Sequence, residues 1–306
     1  MRRLLDLPHA EARAQLREGT VWLPVNPVEY HGPHLPLHTD GLLSLGWLGD
    51  LHRAAGLPGA PLVASDLEVG VEPTPGPGSR AFGYRAVRDV AARAADALVA
   101  LGAQRIALVT FHGAPLHNLA LAQVVRRLGR QGVRAVAPFQ ELTRLLGSFA
   151  PVAAPLYATL PDDDAREGLR ASLDLDFHAG FVETSLMLHR APGRLRRPPE
   201  LAPLPHPARA GAAALARAPR HRARPRRSGP RARVRRPRPR WTALRPFPGY
   251  TGLPALANPE AGRIVAAFAT ERVAPVVARV LLGGEPAPAP PFRWAGPLTL
   301  WGALGP

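Results

Sequence analysis

The stretch VEYHGPHLPLHTD, residues 28–40, concentrates side chains that can bind metal ions. Those side chains are Glu29, His31, His34, His38 and Asp40. Glu29 and His31 are two residues apart, so on an extended segment they project to the same side and can hold one ion or a pair. Asp40 follows a Gly-Pro turn that can fold it back toward them, and a carboxylate can bridge two divalent cations. The alternative is a polar loop whose histidines form only hydrogen bonds.

Two later stretches offer further ligands. His112 and His117 lie in TFHGAPLHN, and His178 and Glu183 lie in DFHAGFVETSLML, where a loop enters an apolar helix. Taken singly, a histidine at a strand end can be a packing residue and Glu183 a first-turn helix charge. Together with the first stretch they predict a site of His, Asp and Glu, which suits Zn²⁺, Mn²⁺ or Fe²⁺. The chain has no cysteine, which excludes thiolate ligands and cysteine nucleophiles.

Alternating apolar patterns predict the elements that position these residues. Strands are expected at 20–25, 61–69, 105–111 and 133–139, and helices from 41 to 56 and over 86–102 and 118–132. This alternation indicates an α/β fold with a mostly parallel sheet and helices on both faces. Functional residues of parallel sheets usually lie at the carboxyl ends of the strands, so residues 26–40 and 112–118 are expected to meet there.

Composition sets the class of protein. The 306 residues are 46% hydrophobic, enough for one large α/β domain or two smaller ones. The first twenty residues lack an apolar core of signal-peptide length, and no segment has the roughly 20 apolar residues of a membrane span, so we expect a soluble, cytoplasmic protein without a membrane partner. The net charge is +16, but residues 205–240 hold thirteen arginines and no acid, which leaves 16 − 13 = +3 elsewhere.

The Arg/Pro-rich segment, residues 194–245, has no sustained apolar period and is predicted to be disordered. Its arginines could bind a polyanion, but 205–240 has no aromatic residue to stack on bases, so nucleic acid is not the expected partner. A third interpretation is an out-of-frame stretch of GC-rich coding sequence, because the chain uses arginine and no lysine. The tract divides a domain at 1–193 from a segment at 246–306, which is expected to pack back on that domain.

The segment at 246–306 contains one predicted helix. Asn258 suits its N-cap, Pro259 its first position and Gly283 its end. Pro275 predicts a kink or a break within it.

The motifs resemble those of the creatininase family. The family's opening signature, E-x-H-G-x-H-L-P-x-x-T-D after a proline, is matched from Glu29 through Asp40 with the same spacing. Its third motif, H-A-G-x-x-E-T-S, is matched by residues 178–185, and its second, G-H-G-G-N, is similar to FHGAPLHN. The resemblance covers roughly residues 15–192, and GYTGLPALANPEAG resembles the family's closing segment.

This resemblance implies a three-layer α/β/α fold, assembly into homo-oligomers and a centre of two divalent ions, zinc and/or manganese, with iron also compatible. Glu29 and His112 would bind one ion, and His31 and Glu183 the other. Asp40 would bridge the two ions. The remaining assignments are His178 as the proton shuttle and His34 and His117 as substrate-binding residues.

The implied function is a metal-dependent amidohydrolase, in which a metal-activated water attacks a non-peptide or cyclic amide. The chain also departs from the family pattern. Residues 115–117 are inserted before Asn118, and Gly113-Ala114 follow His112 where creatininase has Tyr-Glu. No tryptophan lies between Trp47 and Trp241 to line a creatinine pocket, so creatinine is not the expected substrate. The alternative is a catalytically inactive, metal-binding member of the family.

Overall fold

The computed structural model describes residues 1–145, 150–176, 178–195 and 248–300. Residues 196–247 lie outside the described residues, and with them almost all of the predicted Arg/Pro-rich segment. The prediction of disorder and the polyanion alternative therefore concern a part of the chain about which the fold gives no information.

The described strands form one five-stranded, fully parallel sheet with the order β1-β3-β2-β4-β5. The strands are β1 Arg2–Arg3, β2 Val21–Pro24, β3 Leu62–Val63, β4 Arg105–Val109 and β5 Arg134–Val136. Val21 of the central strand β2 pairs with Leu62 on one side and with Ile106 on the other. The predicted α/β fold with a mostly parallel sheet is confirmed.

Alternate residues of the central strands face two different cores. Trp22 and Ala107 belong to one buried cluster, whereas Val21, Leu23 and Ile106 belong to the other. All of them are completely buried, as expected of a parallel sheet that is covered on both faces.

Helices cover both faces of the sheet. The helices in the described part of the chain are α1 His9–Glu18, α2 Thr39–Ala54, α3 Tyr84–Ala100, α4 Pro115–Arg130, α5 Phe139–Leu145, α6 Ala150–Ala158, α7 Asp163–Ser172, α8 Phe181–Arg190, α9 Pro259–Leu281 and α10 Ala295–Leu298. Helices α1, α3 and α4 contribute to the core that contains Val21, and α2 and α5 to α9 contribute to the core that contains Trp22. The result is the three-layer arrangement that the family resemblance implies.

Several elements differ in length from the sequence prediction. The strand expected at 61–69 is only Leu62–Val63, followed by an isolated bridge between Val25 and Leu67. Helix α4 begins at Pro115 rather than at residue 118, because the inserted residues 115–117 form its first turn. Proline suits that position, since its missing N–H would have no helical partner there.

Helix α9 follows the Arg/Pro-rich segment in the sequence and packs on α8 and α2. Asn258 caps it by accepting a hydrogen bond from the Ala261 N–H at 2.8 Å. The helix runs through Pro275 without a break; that proline is exposed, so water can satisfy the carbonyl that the missing N–H leaves free. A Cβ on Gly262 would lie 2.0 Å from the Ser185 carbonyl oxygen, which shows how closely α9 approaches α8.

Among the described helices, none combines the length and the apolar character that crossing a membrane requires.

Candidate two-metal centre

The centre lies where the chain changes direction across the sheet. From β2 the chain crosses to β3 on one side, and from β4 it crosses to β5 on the other side. Loops after two such neighbouring strands diverge and leave a crevice at their carboxyl ends. Glu29 follows β2 and His112 follows β4, so the topology brings these two side chains to the same crevice.

The first cluster joins Glu29, Asp40 and His112. The Nδ1 atom of His112 lies 2.9 Å from Glu29 Oε2 and 3.7 Å from Asp40 Oδ2. Asp40 reaches this position from the first turn of α2, whose N-terminus carries the partial positive charge that favours a carboxylate. One ligand atom from each residue lies within 4.8 Å of the other two, which is compact enough for one ion.

The second cluster joins His31, Asp40 and Glu183. His31 Nε2 lies 3.6 Å from Asp40 Oδ1 and 3.8 Å from Glu183 Oε2. Glu183 stands in the first turn of α8, and its carboxylate accepts a hydrogen bond from the Ala179 N–H. Asp40 thus faces both clusters with different oxygens, and the two candidate ion positions share it.

Backbone carbonyl groups fix the orientation of the histidine rings. His31 Nδ1 lies 3.0 Å from the Glu29 carbonyl oxygen, and His112 Nε2 lies 3.0 Å from the Val71 carbonyl oxygen. Because a carbonyl oxygen only accepts, the ring nitrogen facing it carries the hydrogen, and the lone pair of the neutral ring sits on the other nitrogen. That other nitrogen is the one that faces the carboxylates in each case, as in metal sites where a hydrogen bond to one ring nitrogen leaves the other to bind the ion.

Burial and charge together set the protonation of these groups. Burial by itself would lower the histidine values, but Asp40 and Glu183 raise the pKa of His31 to about 10, and Glu29 raises the pKa of His112 to about 9. Burial opposes ionisation of Glu29, yet His112 holds its pKa well below the usual range. Burial raises the pKa of Glu183 to about 8. Without a metal ion, protons therefore supply the positive charge that the carboxylates require.

The hydrogen bonds within the centre indicate whether its residues fit a metal ion. His31 Nε2 and Asp40 Oδ2 are buried and have no hydrogen-bond partner among the described residues, and the buried Glu29 Oε2 faces His112 Nδ1 at 2.9 Å. Buried polar atoms without partners are costly, and here these atoms point into the same small volume. A set of carboxylate oxygens and imidazole nitrogens matches the ligand preference of Zn²⁺ and Mn²⁺, so the residues present fit a divalent metal centre.

His178 borders both clusters. Its Nδ1 atom lies 3.7 Å from Glu29 Oε1, and its ring centroid lies 4.3 Å from that of His31. Its Nε2 atom lies 2.9 Å from the Tyr30 carbonyl oxygen and therefore carries the hydrogen of the neutral ring. Burial and the nearby His31 lower the pKa of His178 to about 4, so the ring is neutral at pH 7 and can accept a proton at Nδ1.

His117 is enclosed by backbone groups. Its Nε2 atom lies 3.1 Å from the Val25 carbonyl oxygen, and its Nδ1 atom is 3.4 Å from the Val71 N–H. Burial lowers its pKa to about 3, so the ring is neutral. Both ring nitrogens of His117 thus face backbone groups, and substrate binding by this residue stays a prediction.

His34 joins the first loop to α8. Its Nε2 atom lies 3.1 Å from the Ala179 carbonyl oxygen and 3.0 Å from the Thr184 hydroxyl, and its ring packs edge-on against Tyr250. Burial lowers its pKa to about 4. The structure thus places His34 beside the centre with one ring nitrogen engaged, and substrate binding by this residue stays a prediction.

Three contacts around the centre could not be predicted from side-chain types, because the donor in each is a backbone N–H. The Thr74 N–H donates to Glu29 Oε1 at 2.5 Å, and the Thr251 hydroxyl accepts from the His178 N–H at 3.2 Å. The Asp176 carboxylate accepts from the Phe181 N–H at the start of α8. The sequence feature that indicated this region is the closing segment GYTGLP, which contains Thr251 and resembles a family motif.

A parallel α/β sheet with a buried His, Asp and Glu cluster at its switch point defines a metal-binding α/β protein. A family model described as Creatininase: Creatinine amidohydrolase matches residues 5–277. The chain belongs to the creatininase family. No curated protein matches the sequence.

Solved structures of the family share the fold. A structure titled Creatininase Mn is 16% identical and superposes with a TM-score of 0.57, with 92% of this chain and 98% of that chain covered. A creatinine amidohydrolase (creatininase) is 17% identical, with a TM-score of 0.58 and the same coverage. A mutant creatininase titled Zn-Zn type is 16% identical, again with a TM-score of 0.58 and coverage of 92% and 98%.

Proposed function

We propose that this chain is a metal-dependent amidohydrolase that cleaves a C–N bond of a small non-peptide or cyclic amide with a metal-activated water. The observation that carries the proposal is the pair of buried carboxylate and imidazole clusters that share Asp40, in which His31 Nε2 and Asp40 Oδ2 have no hydrogen-bond partner among the described residues. Family membership supports the amidohydrolase class. The cytoplasmic location and the homo-oligomeric state stay predictions.

The ligand assignment of the proposal follows the two clusters. Glu29 and His112 would hold one divalent ion, and His31 and Glu183 the other. Asp40 would bridge them, because its two oxygens face different histidines. Zinc and manganese are the proposed ions, since relatives are titled as a manganese form and a Zn-Zn form, and Fe²⁺ is compatible with the same ligands. When bound, such ions activate a water and polarise the amide carbonyl.

The chain itself supplies the proton transfer. The Tyr30 carbonyl holds the His178 N–H at Nε2, so Nδ1 is the nitrogen that faces Glu29 Oε1, at 3.7 Å. We assign His178 as the proton shuttle that takes the proton of the attacking water and returns it to the leaving nitrogen. Burial excludes bulk water from this transfer, because His178 is only 8% exposed.

The test combines metal analysis with an amide screen. Purified protein should contain divalent metal and hydrolyse at least one member of a panel of small cyclic and linear amides. The His178→Ala variant should keep its metal and lose roughly 10²- to 10⁴-fold in rate, the usual weight of general acid–base catalysis. His9→Ala, at an exposed position of α1, is the matched control and should keep the full rate.

Two results would contradict parts of the proposal. An unchanged rate in His178→Ala would remove the shuttle assignment. Metal without turnover on any amide of the panel would instead support the alternative of a catalytically inactive metal-binding protein.

A further inference from the structure

A loop after β3 reaches the centre through its backbone. We call residues 70–79 the β3 loop. The Val71 carbonyl oxygen faces His112 Nε2 at 3.0 Å, and the Thr74 N–H donates to Glu29 Oε1 at 2.5 Å. The loop therefore contacts both residues of one proposed ion position, although neither Val71 nor Thr74 offers a ligand atom in these contacts.

Between these two contacts the backbone takes an unusual conformation. Glu72 has a φ of +57°, in the left-handed region that side chains other than glycine rarely adopt. The following residue is Pro73, which further restricts the residue before it. Among the described residues other than glycine, positive φ occurs also at Ala179 and Leu300, and Ala179 adjoins His178. Two of the three strained positions thus flank the centre, where such strain concentrates in proteins.

The surrounding contacts hold this conformation in place. The Glu72 carboxylate accepts from the Leu116 N–H at 3.4 Å in the first turn of α4. The Ser79 hydroxyl donates to the Thr74 carbonyl oxygen at 2.6 Å and accepts from the Tyr30 N–H at 2.9 Å. The β3 loop is therefore tied at one end to α4 and at the other to the first metal-ligand stretch.

We propose that Glu72 is a positioning residue whose left-handed backbone conformation turns the Val71 carbonyl onto His112 and the Thr74 N–H onto Glu29. The chain bends at Val71 and Glu72, and an acceptor before Glu72 and a donor after it reach the same centre. The inference rests on the proposed function, because it concerns two of the assigned ligands.

Each of these two contacts determines which atom of the ligand residue faces the ion position. The Val71 carbonyl accepts from His112 Nε2, so Nδ1 is the ring nitrogen that faces the carboxylates. The Thr74 N–H occupies Glu29 Oε1, so Oε2 is the oxygen that faces His112 Nδ1, at 2.9 Å. The β3 loop therefore determines which nitrogen and which oxygen face the ion position, and the loss of such hydrogen bonds to metal ligands changes metal affinity by roughly 10- to 100-fold.

The experiment compares substitutions that differ in their tolerance of positive φ. Glu72→Gly and Glu72→Ala both remove the carboxylate, but only glycine adopts this conformation freely. Glu72→Asn tolerates it well, and the β-branched Glu72→Val does not. Zinc affinity, measured by chelator competition, should stay near the wild-type value in the glycine and asparagine variants, fall in the alanine variant and fall by roughly 10- to 100-fold in the valine variant.

A second measurement needs no metal. In metal-free protein, the ring Nε2–H proton of His112 should exchange slowly in NMR spectra of the wild type and of Glu72→Gly, because the Val71 carbonyl holds it. It should exchange faster in Glu72→Ala and Glu72→Val. This comparison stays informative if the valine variant fails to fold, since the glycine and alanine variants form the matched pair.

Two outcomes would overturn the inference. Equal zinc affinity in the glycine, alanine and valine variants would show that the backbone conformation is irrelevant. A loss in Glu72→Gly as large as in Glu72→Val would place the effect in the carboxylate instead. Failure of the proposed function is distinguishable, because it would show as absent zinc binding or amide turnover in the wild type, while the NMR comparison would still report on positioning.

Discussion

At the scale of single residues, Asp40 faces both candidate ion positions. Its Oδ1 atom faces His31 and its Oδ2 atom faces His112, so a change at this position reaches both candidate ion positions. We expect Asp40→Ala to lose both ions, as measured by elemental analysis of the purified protein. Asp50→Ala, on the same helix α2, is the matched control and should keep its metal. Two ions per chain in the Asp40 variant would contradict the bridging assignment.

The raised pKa values of His31 and His112 predict how metal affinity depends on pH. Burial alone would lower both, but the carboxylates raise the pKa of His31 to about 10 and of His112 to about 9, so the metal-free centre holds both protons at neutral pH. Loading both ions displaces these two protons, so the overall affinity for the ion pair falls by about hundredfold for each unit that the pH falls. Burial raises the pKa of Glu183 to about 8, so the proton on this ligand steepens the fall below that pH. Chelator competition between pH 6 and pH 8 measures this slope, and a flat profile would argue against imidazole ligation.

At the scale of elements, sequence predicts what depends on side-chain pattern. The strands β2 and β4 are buried apolar runs, and the spacing of Glu29 and His31 after β2 indicates a metal site directly. The two-residue strand β1 consists of exposed arginines and carries no such pattern. Grouping Glu183 with His31 required either the family motif or the fold, because these residues lie far apart in the chain.

Roles that run through the backbone could not be predicted from side-chain types. The sequence predicts His117 as a substrate-binding residue, and it could not show that the ring contacts the Val25 carbonyl, a group that every residue possesses. The positive φ of Glu72 is likewise invisible, since a residue before proline is expected to be extended. The elements place donors and acceptors of the main chain around the centre, and only the fold shows which ones.

At the scale of the whole molecule, the centre connects distant parts of the chain. The proposed ligands lie at 29–40, 112 and 183. The segment that follows the Arg/Pro-rich tract also contacts the centre, because Thr251 contacts His178 and Tyr250 packs against His34. An unfolded chain cannot bring these groups together. Ions that bind the folded protein alone should therefore stabilise it as a whole.

We expect removal of metal by a chelator to lower the thermal unfolding midpoint, and addition of Zn²⁺ or Mn²⁺ to restore it. At a free ion concentration of about 1,000 times Kd, the expected stabilisation is about 4 kcal/mol for one site, which corresponds to several degrees for a domain of this size. Asp40→Ala serves as the control, because a protein without the shared ligand should unfold at the same temperature with and without chelator. The contradicting result would be a wild-type unfolding midpoint that stays the same after elemental analysis has shown that the chelator removed the metal. That result would mean that the ions do not connect these segments.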